Sequence, residues 1–379
     1  MIYFDNSATT FPKPATVVNA MMSVMKKYGA NPGRSGHDMA RRSGKIMETC
    51  RQTAAKLFGA NSPENVVFTL NCTSAINMVI KGIIKPGDHV VTSCFEHNAV
   101  MRPLKKLEKI GVTFTQAIVY PNDDDKTVNE FRNAINAKTA LIIATHASNV
   151  FGIRLPIERI SALGKVYGIP ILVDAAQTAG VLPINIKNAH IDYLCTAGHK
   201  GLYGPMGTGL MITNQGEALE TIIEGGTGTD SMKFCQPELM PQKFESGTPN
   251  LPGIAGLNAG MEFVMSKGIG NIFNHEYKLI SRLYDNLKNI KGVKLYTPKP
   301  NKNYCVPILS FNINGHISDE IGKILDKNGI EVRTGLHCAP SAHEFFDTLK
   351  QGVVRVSPSV FNTIQEIDKL TEIIRHIAH

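Results

Sequence analysis

Ile171-Leu172-Val173-Asp174-Ala175-Ala176-Gln177, followed by Tyr193-Leu194-Cys195-Thr196-Ala197-Gly198-His199-Lys200-Gly201, is a pair of short apolar runs, each passing into a turn that holds a charged residue. Runs this short and this uniformly apolar suit strands buried on both faces, as in a parallel sheet covered by crossover helices. The same form recurs at 65–69, 89–93, 113–119, 139–145 and 209–212. Amphipathic stretches at 74–81, 101–110, 128–136 and 157–167 separate these runs, so the expected fold is an open α/β sheet with helices on both faces. After residue 253 the pattern changes to a long helical stretch reaching about 290. Strands near 293–296 and 308–313, a helix at 318–328, strands near 330–334 and 353–357 and a last helix from Thr363 follow. The expected division is a large domain over 15–252 and a smaller α+β domain over 253–379, with 1–14 packing near the latter.

Composition narrows the class. With 379 residues, 43% of them hydrophobic and 19% charged, the chain can bury the core of two domains. No apolar run is long enough to cross a bilayer, and Met1 to Thr10 lack the basic start and apolar core of a signal peptide, so a cytoplasmic protein is expected. Seven cysteines, odd in number, scattered and without a Cys-x-x-Cys pair, argue against a disulfide framework or zinc ribbon and leave room for one reactive thiol. No metal site is expected. The net charge of +8 comes from dispersed lysines rather than a basic run, which disfavours a nucleic-acid partner.

In an open parallel sheet, ligands sit beyond the carboxyl ends of the strands. Asn71-Cys72-Thr73-Ser74 is a polar turn opening a helix, where free amides hold a phosphate or where Thr73 or Ser74 simply caps. His97 lies in the loop after the 89–93 strand, and Asn149 in the turn after 139–145. Asp174, at the end of a buried strand, needs a cationic or hydrogen-bonding partner: an arginine, or the protonated ring nitrogen of a heterocyclic cofactor. Lys200 stands among glycines, yet the Gly-x-x-x-x-Gly-Lys-Ser/Thr phosphate loop is absent. A carboxylate and a lysine at successive strand ends can hold a pyridinium and form an imine with a carbonyl cofactor.

The order Asp174-x-x-Gln177, then Thr196-x-x-His199-Lys200, resembles the class V aminotransferase family of pyridoxal-phosphate enzymes, and within it the cysteine desulfurase and selenocysteine lyase branch. The likeness runs from Tyr3-Phe4-Asp5-Asn6-Ser7-Ala8-Thr9-Thr10 to Arg355-Val356-Ser357-Pro358 and Phe361-Asn362-Thr363. It implies a fold type I transferase with a mixed, mostly parallel seven-stranded sheet and pyridoxal 5'-phosphate as cofactor. By the same resemblance Lys200 is the Schiff-base lysine and proton shuttle, Asp174 pairs with the pyridine nitrogen, Gln177 bonds the phenolic oxygen, and His97 is a catalytic residue that stacks on the ring and relays protons. Cys72, Thr73, Thr196 and His199 hold the phosphate, and Thr227 reaches in from the second subunit of a homodimer. Asn149 and Arg355 hold the substrate carboxylate, with Ala8 and His37 on the substrate side beside Arg34.

Arg333-Thr334-Gly335-Leu336-His337-Cys338-Ala339-Pro340 resembles the loop that bears the nucleophilic cysteine of desulfurases. Arg333 and His337 beside Cys338 favour a thiolate in that reading. The resemblance implies that L-cysteine yields L-alanine, with its sulfur held as a persulfide on Cys338 and passed to a protein acceptor. The short spacing from Cys338 to Arg355 is similar to that of the shorter-loop group, which also contains selenocysteine lyases. L-Selenocysteine is therefore an alternative substrate, and a transaminase or other lyase with Cys338 a bystander is a second alternative. Two departures stand out: Asn71-Cys72-Thr73 replaces the common Gly-Thr-Thr or Gly-Ala-Thr, and Phe361 stands where many relatives have tyrosine.

Overall fold

The structure, a computed structural model, describes residues 1–32 and 36–378. The chain opens with β1 (Ile2–Tyr3), α1 (Ala15–Lys27) and α2 (Asp38–Phe58). There follow β2 (Val66–Thr69), α3 (Cys72–Ile83), β3 (His89–Ser93), α4 (Asn98–Leu107), β4 (Thr113–Ala117), α5 (Asp124–Ala134), β5 (Thr139–Thr145), α6 (Ile157–Tyr167), β6 (Ile171–Asp174), β7 (Tyr193–Ala197) and β8 (Gly209–Thr213). The remainder is α7 (Leu251–Lys267), α8 (Ile269–Leu287), β9 (Val293–Leu295), β10 (Leu309–Ile313), α9 (Ser318–Lys327), β11 (Ile330–Glu331), α10 (Pro340–Phe345), β12 (Val354–Val356) and α11 (Ile364–Ile377).

The large sheet has seven strands in the order β2-β8-β7-β6-β5-β3-β4, parallel except for β8, which runs against both neighbours. Its apolar runs are explained by burial on two sides. Ile142 and Ala144 of β5, Ile171 and Val173 of β6, and Leu194 of β7 enter one core layer, together with residues of α2, α5, α6 and α7. The alternate residues Leu141, Ile143, Leu172, Tyr193 and Cys195 enter the other, under α3 and α4.

A second, smaller sheet is antiparallel, β12-β10-β9, and closes a separate core with α8, α9 and α11. β1 joins this part of the molecule by pairing in parallel with β11, Ile2 opposite Ile330. The N-terminal segment then crosses to the large sheet, where Thr10 N donates to His199 O at 3.0 Å.

Several expectations are corrected. The single helix expected from 253 to about 290 is two, because Gly268 adopts φ 80°, a left-handed conformation that ends α7 and turns the chain into α8. The 113–119 run stops pairing at Ala117. α3 is capped by Asn71, whose Oδ1 accepts from Ser74 N at 2.9 Å, rather than by Thr73 or Ser74. α10 is a six-residue helix begun by Pro340, too short to show a period, and α1 and α2 have no counterpart in the sequence reading. Among the described residues no helix is long and apolar enough to cross a membrane.

Candidate active site

Five chain segments converge beyond the carboxyl ends of the parallel strands, because every βαβ unit delivers its strand end to the same edge. β6 ends on Asp174, which is 5% exposed. Its Oδ1 accepts from Ala176 N at 2.9 Å and from Cys72 Sγ at 3.3 Å. Cys72, at the start of α3, is itself buried, and burial together with Asp174 holds its thiol well above the usual range. Cys72 therefore stays a neutral donor to the carboxylate.

β7 leads through Ala197 to His199 and Lys200. Burial pushes the Lys200 amine below its ordinary value while Asp174 pulls the other way. α7 passes directly beneath this turn: a Cβ on Gly260 would lie 2.3 Å from Leu202 O and 2.8 Å from Gly204 N, so only glycine admits the contact. His97 begins α4, its Nδ1 accepting from Ala99 N at 3.0 Å. Burial lowers its pKa, with Asp174 opposing and Lys200 and Arg333 adding to the shift, so its ring is neutral near pH 7. Gln177 Nε2 donates to Ser7 O at 3.2 Å, which ties β6 to the N-terminal segment.

The start of α3 is a place for an anion. Asn71 satisfies Ser74 N, and the Cys72 and Thr73 amides point from the positive end of the helix dipole with no partner among the described residues. His199 Nδ1 is likewise buried without a partner, and burial lowers its pKa to about 4. Thr196 is fully buried, its Oγ1 3.5 Å from Ala175 O.

Arg355 is 1% exposed and comes from β12. Its Nη2 forms an ion pair with Asp5 Oδ1 at 2.6 Å, and its Nη1 donates to Asn149 O at 2.9 Å. Its Nε is buried without a partner. Asn149 thus meets Arg355 through its backbone, while its side-chain Nδ2 donates to His337 O at 2.7 Å. Cys338 O, the next carbonyl, accepts from Asn98 N at 2.8 Å. These two bonds carry the Cys338 loop to the strand ends, one residue from His97. Cys338 is exposed, and both it and His337 take positive φ, 59° and 49°.

His337 corrects an expectation. It is 3% exposed, its Nε2 lies 3.2 Å from Val353 O, and burial beside Arg355 holds its pKa well below the usual range. It is neutral and supplies no charge to the neighbouring Cys338.

Other residues lie apart. His37 is exposed and its Nδ1 caps α2 by accepting from Ala40 N at 3.2 Å. Arg34, with Gly33 and Ser35, lies outside the described residues. Ala8 is half-buried in the turn after Asp5. Thr227 lines a cleft of about 570 Å³ with Thr69, Ser74 and Thr208, its hydroxyl 3.0 Å from that of Thr229. Phe361 packs edge-on against Tyr203 at 5.9 Å, three residues beyond Lys200.

Sequence reasoning missed Glu96. It is fully buried, with Oε1 accepting from Ser93 Oγ at 2.5 Å and Thr145 N at 2.7 Å, and with Oε2 unpartnered. Burial pushes its carboxyl up to about 8, so it is mostly neutral at pH 7. Its only signal was a charged residue three positions after a buried strand. Asp5 stood within the Tyr3–Thr10 stretch of the resemblance without a role, and Lys13 gave no signal.

The pattern of the family described as "Aminotransferase class-V" matches residues 2–370. The chain belongs to that family. It is 35% identical to a probable cysteine desulfurase of Methanothermobacter thermautotrophicus, covering 100% of this chain and 94% of the relative. A cysteine desulfurase structure from Thermococcus onnurineus NA1 superposes with a TM-score of 0.91 at 31% identity, covering 100% of this chain and 94% of that one. A cysteine desulfurase from Escherichia coli, described in an S-sulfonic acid form, superposes at 0.87 with 26% identity over 99% and 94% of the two chains. Membership implies pyridoxal phosphate as the family's cofactor.

Proposed function

We propose that this chain is a cysteine desulfurase that carries pyridoxal 5'-phosphate on Lys200, moves the sulfur of L-cysteine onto Cys338 and releases L-alanine. One observation carries the assignment of Cys338: its exposed loop is bonded at two successive carbonyls to Asn98 and Asn149, at the same strand ends that present Asp174 and Lys200. The residues present fit the cofactor. Asp174 keeps Oδ2 without a hydrogen bond among the described residues, His199 Nδ1 is buried and orphaned, and two amides are free at the start of α3. Asp174 would hold the pyridinium, Gln177 the phenolic oxygen and His97 the ring face, with Cys72, Thr73, Thr196 and His199 at the phosphate.

When bound, pyridoxal phosphate supplies an electron sink for the Cα carbanion. Arg355 holds the substrate carboxylate through its planar guanidinium. Lys200, its pKa lowered by burial, takes the proton from Cα. The Cys338 thiolate attacks the substrate sulfur; an S–S bond forms, the Cβ–S bond breaks, and Lys200 returns a proton to the carbon skeleton. The sum is L-cysteine plus Cys338 thiol giving L-alanine plus Cys338 persulfide, with no external oxidant or reductant. A protein acceptor then takes the sulfur. A second copy of the chain completes the site by bringing Thr227 to the phosphate, and the cytoplasm is the setting, where thiols persist.

Mass spectrometry after incubation with L-cysteine tests the reading: a single added sulfur mapped to Cys338, with alanine released, is expected. Alanine release with no adduct on Cys338, unchanged in Cys338→Ala, overturns it.

A further inference from the structure

Four donors converge on the backbone oxygen immediately before Lys200. His199 O accepts from Thr10 N at 3.0 Å, Thr9 Oγ1 at 3.1 Å, Thr10 Oγ1 at 3.2 Å and Lys13 Nζ at 2.7 Å. A carbonyl oxygen has two lone pairs, so this peptide is held from more directions than secondary structure requires. Lys13 Nζ also donates to Thr10 Oγ1 at 2.7 Å, and that hydroxyl lies 3.2 Å from Lys200 O as well.

Lys13 is half-buried and forms no ion pair with an acidic residue among the described residues. Burial alone pushes its ammonium down to about 8. A cation placed this way costs free energy, and the bonds that compensate it run to Thr10 and to the peptide beside Lys200. The rest of the Lys200 turn is held from within the large sheet, by Tyr203 N to Lys200 O at 2.8 Å and by Gly204 N to Gly198 O at 2.8 Å. Lys13 is the charged contribution from outside, on a segment whose other end pairs Asp5 with Arg355.

We infer that Lys13 is a positioning residue: with Thr9 and Thr10 it locks the His199–Lys200 peptide, so that the Lys200 amine meets the cofactor carbonyl and the substrate Cα in one fixed register. This rests on the reading of Lys200 as the cofactor lysine. Loss of register lowers the rate of the chemical step more than it weakens substrate binding.

The test uses the full chain carrying Lys13→Met, with Lys13→Arg as the conservative replacement and Thr10→Val as a second way to thin the cluster should Lys13→Met fold poorly. Amide hydrogen exchange of the chain without added cofactor reads the clamp itself: Lys13→Met should speed exchange at Tyr203 and Gly204 by about tenfold, leave β5 and β6 unchanged, and return to within about twofold of wild type in Lys13→Arg. With pyridoxal phosphate added, Lys13→Met should lower kcat for cysteine about tenfold with KM within about twofold, Lys13→Arg again recovering most of it. Wild-type exchange at Tyr203 and Gly204 in both Lys13→Met and Thr10→Val overturns the inference, as does faster exchange spread evenly over the sheet, or a kcat that stays at the wild-type value. A wild-type chain that gains no yellow absorbance from pyridoxal phosphate refutes the cofactor assignment of Lys200 instead, a result the exchange measurement distinguishes.

Discussion

Lys200 and Cys338, the two groups assigned to proton and sulfur chemistry, sit on opposite kinds of backbone. Lys200 follows a strand near the middle of a seven-stranded sheet, rests on α7 at Gly260 and has four donors on the preceding carbonyl. Cys338 is exposed, in a loop where Gly335, His337 and Cys338 all take positive φ, and it is held at the site by Asn98 and Asn149. Each non-glycine residue in that conformation costs about 1 kcal/mol or more, so the loop keeps its shape only while its anchors hold. A group that shuttles one proton at one carbon gains from rigidity. In the proposed function Cys338 collects sulfur in a pocket and gives it to another protein, and such a group gains from an attachment that can be broken.

The contrast can be broken most severely at Lys200. Lys200→Ala should lower alanine formation by on the order of 10⁴-fold and leave no yellow absorbance on the protein once free pyridoxal phosphate is removed, since the amine assigned to the imine is gone. Near-normal turnover would place the cofactor elsewhere. Cys338→Ala should keep that absorbance and lower alanine release from cysteine by on the order of 10²- to 10³-fold. Retained turnover of selenocysteine in the same variant would show that Cys338 serves sulfur and is dispensable for selenium. Arg355→Lys, measured by steady-state kinetics, should lower kcat/KM by about 10- to 100-fold, mainly through KM, because an ammonium cannot reproduce the planar fork that meets Asp5 and a carboxylate together.

Glu96 sharpens the rigid side. Its carboxyl is raised to about 8, so between the unfolded value of 4.5 and about 8 the folded chain holds a proton that the unfolded chain has released. Glu96 therefore contributes stability that is fully present below pH 4.5 and is lost as the pH rises through about 8. Glu96→Gln should flatten that decline, leaving the variant relatively more stable at pH 8 than at pH 5 by on the order of 1–2 kcal/mol in denaturant titrations. An unchanged pH profile would mean that Glu96 is charged in the folded state. The smallest effect is expected at the loop anchor. Asn149→Ala should speed alkylation of Cys338 by a few-fold, about 0.5–1 kcal/mol of lost restraint, and slowed alkylation would break the contrast.

The sequence by itself determined the seven strands and their approximate ends, because burial on both faces leaves apolar runs that local pattern can read. It also put Asp174, Lys200, His97 and Asn149 at strand ends, since chain order and a parallel sheet send every such end to one edge. Tertiary structure decided what each side chain is bonded to. Asp5 and Arg355 are 350 residues apart yet share an ion pair, and the amide of Asn149 reaches not a neighbour but His337, 188 residues on. His337 lost its charge to burial, a property of the packed loop that no motif contains. Lys13, ordinary in a Phe-Pro-Lys-Pro stretch, became a cation on the carbonyl beside Lys200 only because β1 pairs with β11 and sends the following segment across both sheets. Local sequence fixes period and chemistry, whereas desolvation and long-range hydrogen bonds arise only when distant segments are brought together.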